Sequence, residues 1–121
     1  MQTSKSHLSS VDLENVVEVG DRAFFGSEAI SNITNTLDIS SIGIDAFAYS
    51  GINSFQFSDK IESIGQFGFN LCPNLTQIEF LGTGPTKIGD QAFMNATKLN
   101  IVKANSLNKL ESIGNYAFYN T

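Results

Sequence analysis

Paired carboxylates are the first residues of this 121-residue chain whose type and spacing suggest chemistry. Asp12 is followed closely by Glu14, and Glu18 by Asp21. Two acids that share a desolvated cleft can act as the general acid and the general base of one reaction. Nothing in the sequence around these pairs predicts burial or a shared cleft. We therefore interpret them as part of a solvated face and predict no enzyme.

The remaining reactive residue types do not form a metal site, a phosphate site or a catalytic triad. Cys72 is the one cysteine and His7 the one histidine, so the chain has no internal disulfide, thiolate cluster or histidine-based triad. Gly82-Thr83-Gly84 lacks the following helix with Lys and Ser or Thr that a phosphate-binding loop requires. Regularly spaced aspartates of a calcium-binding loop are also missing. We expect no cofactor and no metal.

The charge distribution limits the kind of partner. The net charge is −5, and phosphate contacts need clustered Lys and Arg, so we expect no nucleic-acid partner. The acidity lies in residues 1–60, which carry eight acidic and three basic residues. No apolar run approaches about 18 residues, so we expect no membrane insertion. Residues 1–7 are polar and lack the apolar centre of a signal peptide, and we predict that they form a flexible leader.

A six-residue motif, Ile-Gly-x-x-Ala-Phe, organises the rest of the chain. Its clearest copy runs from Ile88 to Phe93, and four further copies begin at residues 19, 42, 64 and 113. The motif glycines are 23, 22, 24 and 25 residues apart. A constant period in the twenties is typical of a solenoid, in which equivalent positions of successive rungs lie above one another. The predicted core is an aromatic ladder of Phe24, Phe47, Phe69, Phe93 and Phe118.

A second pattern, Leu-x-x-Ile-x-apolar, precedes each motif and predicts a short strand by its alternation. Each rung then returns through apolar-x-x-Ile-Gly, a second short strand, to a helical or 3-10 turn after the glycine. The predicted fold is a β-rich solenoid, a right-handed curved array of about five rungs of 22–25 residues. The rungs are 8–29, 30–51, 52–74, 75–98 and 99–121. In the fourth rung Pro85 predicts a short or broken return strand.

Two small-residue positions also carry structural predictions. The motif glycine either has a positive φ or allows two backbones to approach closely, and the sequence leaves both readings open. The third residue after each motif Phe is small in every rung, which predicts an inward position. These residues are Ser27, Ser50, Cys72, Ala96 and Thr121. We accordingly interpret Cys72 as a core residue and not as a reactive thiol.

The complete rung resembles the BspA-like, or Treponema pallidum-type, leucine-rich repeats. The match is nearly complete in Leu75–Phe80 with Ile88–Phe93, and Cys72 stands where that family typically has a cysteine. The resemblance covers residues 8–121. It implies a two-sheet solenoid without long helices, a cell-surface or secreted protein, and an adhesin that binds host matrix proteins, host cells or other microbes. It brings no catalytic motif.

The solvent-facing positions of the first strands form the candidate binding face. Stacked, they predict one polar and nearly uncharged sheet, and solenoids use such extended surfaces to bind other macromolecules. The candidate ligand-binding residues are Asn32, Thr34, Asn53, Gln56, Gln77, Glu79, Ile101 and Lys103. Ile101 is the apolar member and is predicted to anchor a contact. The alternative is an ordinary hydrophilic sheet face with the binding site elsewhere.

Two functions remain open from the sequence. One is a non-catalytic adhesion module that binds a protein or glycoprotein through the strand face. The other is a structural spacer, or a self-associating segment of a larger surface protein. The sequence stops at Thr121, directly after the rung that contains Phe118, with no polar cap, and solenoids need capped ends, so the second hypothesis predicts end-to-end homo-association.

Overall fold

The computed structural model describes residues 8–121, and the predicted leader with His7 lies outside the described residues. This part of the chain contains ten short strands, two for each of five rungs. The first strands are β1 (Ser10–Asp12), β3 (Asn32–Thr34), β5 (Ser54–Phe57), β7 (Gln77–Phe80) and β9 (Ile101–Ala104). The return strands are β2 (Glu18–Val19), β4 (Ser41–Ile42), β6 (Ser63–Ile64), β8 (Lys87–Ile88) and β10 (Ser112–Ile113). Equivalent strands pair in parallel, which confirms the predicted leucine-rich-repeat solenoid.

The return strands form one continuous five-stranded sheet, in the order β10-β8-β6-β4-β2. The prediction that Pro85 shortens or breaks its strand is wrong, because β8 has the same two residues as the other return strands. Pro85 stands at the position of Ile39 and Ile61, whose N–H groups donate within their own rung, to Thr36 and Ser58. Proline therefore removes a local hydrogen bond at this position and no bond of the ladder.

The first strands form two sheets and not the single sheet that we predicted. β1 pairs with β3, and β5 pairs with β7 and β9, but no ladder joins β3 to β5. Asn35 has a φ of 59°, a left-handed conformation that ends β3 directly after Thr34. The hydroxyl of the next residue, the buried Thr36, donates to the carbonyl oxygen of Gln56. A side chain thus takes up a backbone acceptor of β5 that a neighbouring strand would otherwise satisfy.

The segment after each motif glycine is not the helical or 3-10 turn that we predicted. It is a run of tight turns in which alternate N–H groups donate within the rung and to the next rung. Ala23 donates to the Gly20 carbonyl at 3.2 Å, whereas Arg22 donates to the Ile44 carbonyl at 2.8 Å. A helix cannot form because the residue before the small motif residue is left-handed in every rung. These residues are Arg22, Asp45, Phe67, Gln91 and Tyr116, with φ between 57° and 60°.

Close backbone approach, and not a positive φ, explains the motif glycine. A Cβ at Gly65 would lie 2.7 Å from the carbonyl carbon of Gly43. A Cβ at Gly89 would lie 2.6 Å from the backbone nitrogen of Gln66. Neither glycine has a positive φ. A side chain at this position in the second to fifth rungs would therefore push adjacent rungs apart, whereas a Cβ at Gly20 in the first rung would have nothing within 4 Å.

The core is the predicted ladder of phenylalanines. The ring centroids of neighbouring motif phenylalanines are 5.1–5.2 Å apart, and their planes differ by 5–13°. Phe57 and Phe80 add a second stack between the first strands, at 4.9 Å. Cys72 is fully buried, as predicted, and its thiol lies 3.0 Å from the carbonyl oxygen of Phe47. Burial raises the pKa of this thiol, so it remains protonated.

Candidate functional site

The structure places most of the predicted binding residues on the sheet formed by β5, β7 and β9. Phe55, Phe57, Ile78 and Phe80 point into the core, so the residues that alternate with them face solvent. One row across the three strands is Ser54, Gln77 and Ile101, and the next is Gln56, Glu79 and Lys103. We call the candidates among these residues, Gln56, Gln77, Glu79, Ile101 and Lys103, the strand face.

The other three predicted residues lie outside these two rows. Asn32 and Thr34 lie on β3, in the other sheet, opposite Ser10 and Asp12 of β1. Asn53 precedes β5, and its N–H donates to the Ser31 carbonyl at 3.0 Å. All three are exposed. The break between β3 and β5 therefore divides the predicted residues into two groups.

Charge on the strand face is arranged around Glu79. Its Oε1 accepts a hydrogen bond from Nε2 of Gln56 at 3.2 Å, and Lys103 lies opposite it on the other side. Within residues 8–121 the ion pairs are Lys60–Asp38 and Lys109–Glu62, so neither Glu79 nor Lys103 belongs to one. The strand face therefore offers one cationic and one anionic group to a partner.

A surface cavity of about 420 Å³ lies at the carboxyl ends of β7 and β9. Glu79 and Lys103 of the strand face border it, together with Leu81, Val102 and Asn105. The sequence analysis did not select the last three. Val102 continues the inward row of Phe55 and Ile78, and its side chain is nevertheless 50% exposed because it belongs to the last rung. The periodic pattern predicts an inward direction here, but only a stacked neighbour provides burial.

A second exposed surface lies on the turn side of the first three rungs. Phe25 and Tyr49 are 39% and 45% exposed, and their rings meet edge to face with centroids 5.3 Å apart. The guanidinium carbon of Arg22 lies 4.4 Å from the centroid of Phe25. Next to them is a cavity of about 290 Å³ bordered by Glu28, Tyr49 and Leu71, among others. Sequence reasoning missed this surface, because the pattern marks these positions only as variable.

Two of the four carboxylates that first suggested chemistry, Asp12 and Asp21, bind neighbouring rungs of the same chain. Oδ1 of Asp12 accepts from Nδ2 of Asn35 at 2.8 Å and from the N–H of Glu14 at 2.9 Å. These two hydrogen bonds, the first above all, lower the pKa of Asp12. Oδ1 of Asp21 accepts from the N–H of Ile44 at 2.9 Å. These acids hold one rung to the next, as Asp90 does with Asn115 at 2.8 Å.

Among residues 8–121, no three His, Cys, Asp or Glu side chains are grouped so that they could hold a metal ion. In the same residues, no helix has the length and apolar character needed to cross a membrane.

Comparison with known proteins agrees with the solenoid. The fold matches a crystal structure of a leucine-rich repeat protein from Bacteroides ovatus ATCC 8483, with a TM-score of 0.64 and 21% sequence identity. The match covers 93% of this chain and 34% of that protein, so the chain spans about a third of that structure's length. No curated protein matches the sequence. A family model described as BspA type leucine rich repeat region matches residues 3–121 in six copies, and the chain therefore belongs to the BspA-type leucine-rich repeat family.

Proposed function

We propose that this chain is a non-catalytic adhesion module that binds a protein or glycoprotein through its strand face. The observation that carries the proposal is the row Gln56, Glu79 and Lys103, which faces solvent across three paired strands. Adjacent strands are about 4.8 Å apart, so this row presents an amide, a carboxylate and an ammonium group at regular spacing. Such a row can donate to and accept from the backbone and side chains of a partner.

The strand face is built on a rigid base, which favours binding. Each of its strands is held by ladder hydrogen bonds, and Phe55, Phe57 and Phe80 beneath it are at most 3% exposed. A rigid surface loses little conformational entropy when it binds. Ile101 is 42% exposed at the side of the same sheet and supplies an apolar contact. The cavity beside Glu79 and Lys103 accommodates a protruding side chain of the partner.

Family membership supports the adhesive role and the location that we propose. The BspA-type repeat covers residues 3–121, and repeat arrays of this kind bind other macromolecules through extended surfaces. We propose a cell-surface or secreted protein whose ligand is a host matrix protein, a host cell-surface glycoprotein or a surface molecule of another microbe.

A binding screen with paired variants tests this proposal. The labelled chain is applied to immobilised extracellular matrix proteins, to host cells and to other bacteria. Gln56→Arg with Gln77→Arg adds bulk and charge to the strand face, and Gln66→Arg makes the same change at an exposed turn residue. We expect the double variant to lose the binding that the chain shows and Gln66→Arg to retain it. Unchanged binding by the double variant would exclude the strand face.

The exposed apolar side of the last rung favours a second function, self-association of rungs. Val102 and Ile113 are 50% and 53% exposed, although Ile78 and Ile88, their partners in register, are buried. We propose that this side stacks against a further rung-shaped surface, as in a spacer or a homo-oligomer. Light scattering across concentration tests the idea: association should weaken in Val102→Lys with Ile113→Lys. A monomer at every concentration would rule out homo-association.

A further inference from the structure

At one left-handed position on the turn side, the five rungs carry different types of residue. The second residue after each motif Phe has a positive φ in all five rungs, and the side chains are Gly26, Tyr49, Leu71, Asn95 and Asn120. Glycine and asparagine adopt this conformation readily, whereas bulky residues rarely do. Tyr49 and Leu71 have φ of 61° and 55°, and both occupy the position at an energetic cost that Asn95, with φ of 63°, avoids.

Tyr49 and Leu71 occur next to each other in the array, in the second and third rungs. Both border the cavity of about 290 Å³ on the turn side, which we call the aromatic groove. Its other borders include Glu28 from the first rung, and Pro73 and Asn74 from the third. The two bulky residues at this left-handed position are therefore the two that supply the aromatic and apolar walls of one groove. Asparagine occupies the same position at Asn95 and Asn120, so the backbone does not require a tyrosine or a leucine there.

The chemistry of the aromatic groove favours a cationic ligand. Glu28 is exposed, and within residues 8–121 it belongs to no ion pair. No basic residue borders the groove, and four of its seven lining residues, Glu28 and Tyr49 among them, come from the acidic half of the chain. Beside it, Arg22 already stacks on Phe25, and Phe25 packs by its edge against Tyr49. The surface thus holds one guanidinium over an aromatic ring, and the second ring, Tyr49, borders a groove that Glu28 borders as well.

We propose that the aromatic groove binds an arginine side chain in a peptide segment of another protein. The guanidinium lies over the ring of Tyr49 and pairs with the Glu28 carboxylate, while the aliphatic stem packs on Leu71 and Pro73. The amide of Asn74 is placed to bond the backbone of the peptide. This site is separate from the strand face, and its success or failure is independent of the function proposed above.

NMR titration with small peptides tests the proposal directly. The ¹⁵N-labelled chain is titrated with acetyl-Ala-Arg-Ala-amide and with the same peptide carrying citrulline, which has the shape of arginine without its charge. We expect shifts at the amides of Glu28, Tyr49, Leu71 and Asn74 with the arginine peptide, and shifts at least about fivefold weaker with citrulline. Equal response to the two peptides would overturn the proposal. Titration with N-acetylglucosamine is the third arm, and shifts from the sugar without shifts from the arginine peptide would also overturn it.

Two variants separate binding from folding. Tyr49→Asn removes the ring and keeps a residue suited to the left-handed backbone, as at Asn95 and Asn120. We expect an unchanged or higher melting temperature and about a five- to tenfold loss of affinity for the arginine peptide. Glu28→Gln should weaken binding of the arginine peptide by up to about fivefold. Added salt should reduce the affinity of the unaltered chain for this peptide more than that of the variant. A Tyr49→Asn variant that is less stable and binds the peptide as before would assign Tyr49 to structure and refute the proposal. Tyr116→Asn makes the same change at an exposed, left-handed tyrosine of the fifth rung, outside the aromatic groove, and this matched control should bind the peptide normally.

Discussion

Replacing one phenylalanine of the core ladder tests whether stability is shared between neighbouring rungs. Phe69 is completely buried in the third rung and stacks on both sides, with centroids 5.2 Å from Phe47 and 5.1 Å from Phe93. It also meets Phe55 and Phe57 edge to face, at 5.2 and 5.7 Å. Phe69→Ala removes all four aromatic contacts and leaves a cavity that the stacked rungs cannot close.

The structure predicts different losses of stability for truncating the ladder phenylalanine of the central rung and that of the last rung. Truncating a buried phenylalanine costs about 3–5 kcal/mol, so Phe69→Ala should lower the free energy of unfolding by that amount. Phe118 is only partly buried and has one ring neighbour, Phe93, at 5.1 Å. Half of the burial free energy of phenylalanine is about 0.8–1.5 kcal/mol and one ring pair adds about 0.5–1.5 kcal/mol, so we expect Phe118→Ala to cost about 1–3 kcal/mol.

Equilibrium unfolding in urea measures both values. A domain of this size has a margin of about 5–15 kcal/mol, so Phe69→Ala is expected to remain folded only marginally. Phe69→Leu retains most of the volume and provides a measurable variant if the alanine form does not fold. Equal destabilisation by Phe69→Ala and Phe118→Ala, with equal denaturant dependence, would refute the nearest-neighbour account of this solenoid.

Three further predictions concern the contacts between rungs. Gly65→Ala should lower the free energy of unfolding by about 1–3 kcal/mol in the same urea assay, because its Cβ would meet the backbone of the preceding rung. Gly20→Ala is the control and should be nearly neutral, since its Cβ would have nothing within 4 Å. The folded-state pKa of Asp12 is lowered, so its stabilising effect should be present above the usual value of 3.8 and disappear as the pH falls through the lower folded value. Urea unfolding of the unaltered chain and of Asp12→Ala should therefore converge between about pH 5 and pH 2, and a constant difference would contradict the assignment. Cys72 should react with an aromatic disulfide reagent only after unfolding, because its thiol is buried and its pKa is raised; fast labelling of the folded chain would show that the rungs open locally.

The repeat period predicted the core well, because stacking converts identical sequence positions into contacts. Once Phe47, Phe69 and Phe93 are recognised as equivalent, their ladder requires no further information. The same reasoning placed Gln56, Glu79 and Lys103 in one row. These successes depend on regular positions, where each rung repeats the environment of its neighbour.

The failures lie where a rung departs from the repeat. Asn35 was recognisable as a polar residue at an apolar position, but its left-handed conformation and the resulting break before β5 follow from the packing of Thr36 against the next rung. Tyr49 and Leu71 were invisible for another reason. The motif leaves their position unspecified, and only the backbone shows that a bulky residue is costly there. Single-rung reasoning cannot detect such contrasts, because they become meaningful only when the φ angles of all rungs are compared.

In the six residues after each motif glycine, the backbone-to-backbone hydrogen bonds between rungs all run in one direction along the described array. At every junction three N–H groups of one rung donate to carbonyls of the rung that follows, as Asp45, Phe47 and Tyr49 donate to Gln66, Gly68 and Asn70. In these six residues each rung therefore presents backbone donors toward the following rung and backbone acceptors toward the preceding one, and an inverted rung would place donors against donors. A rung with this polarity can be duplicated in frame and inserted at any junction, where its turn backbone would form the same hydrogen bonds. The turn backbone thus gives the array a head and a tail, and it allows repeat number to change by simple duplication while the exposed side chains diverge.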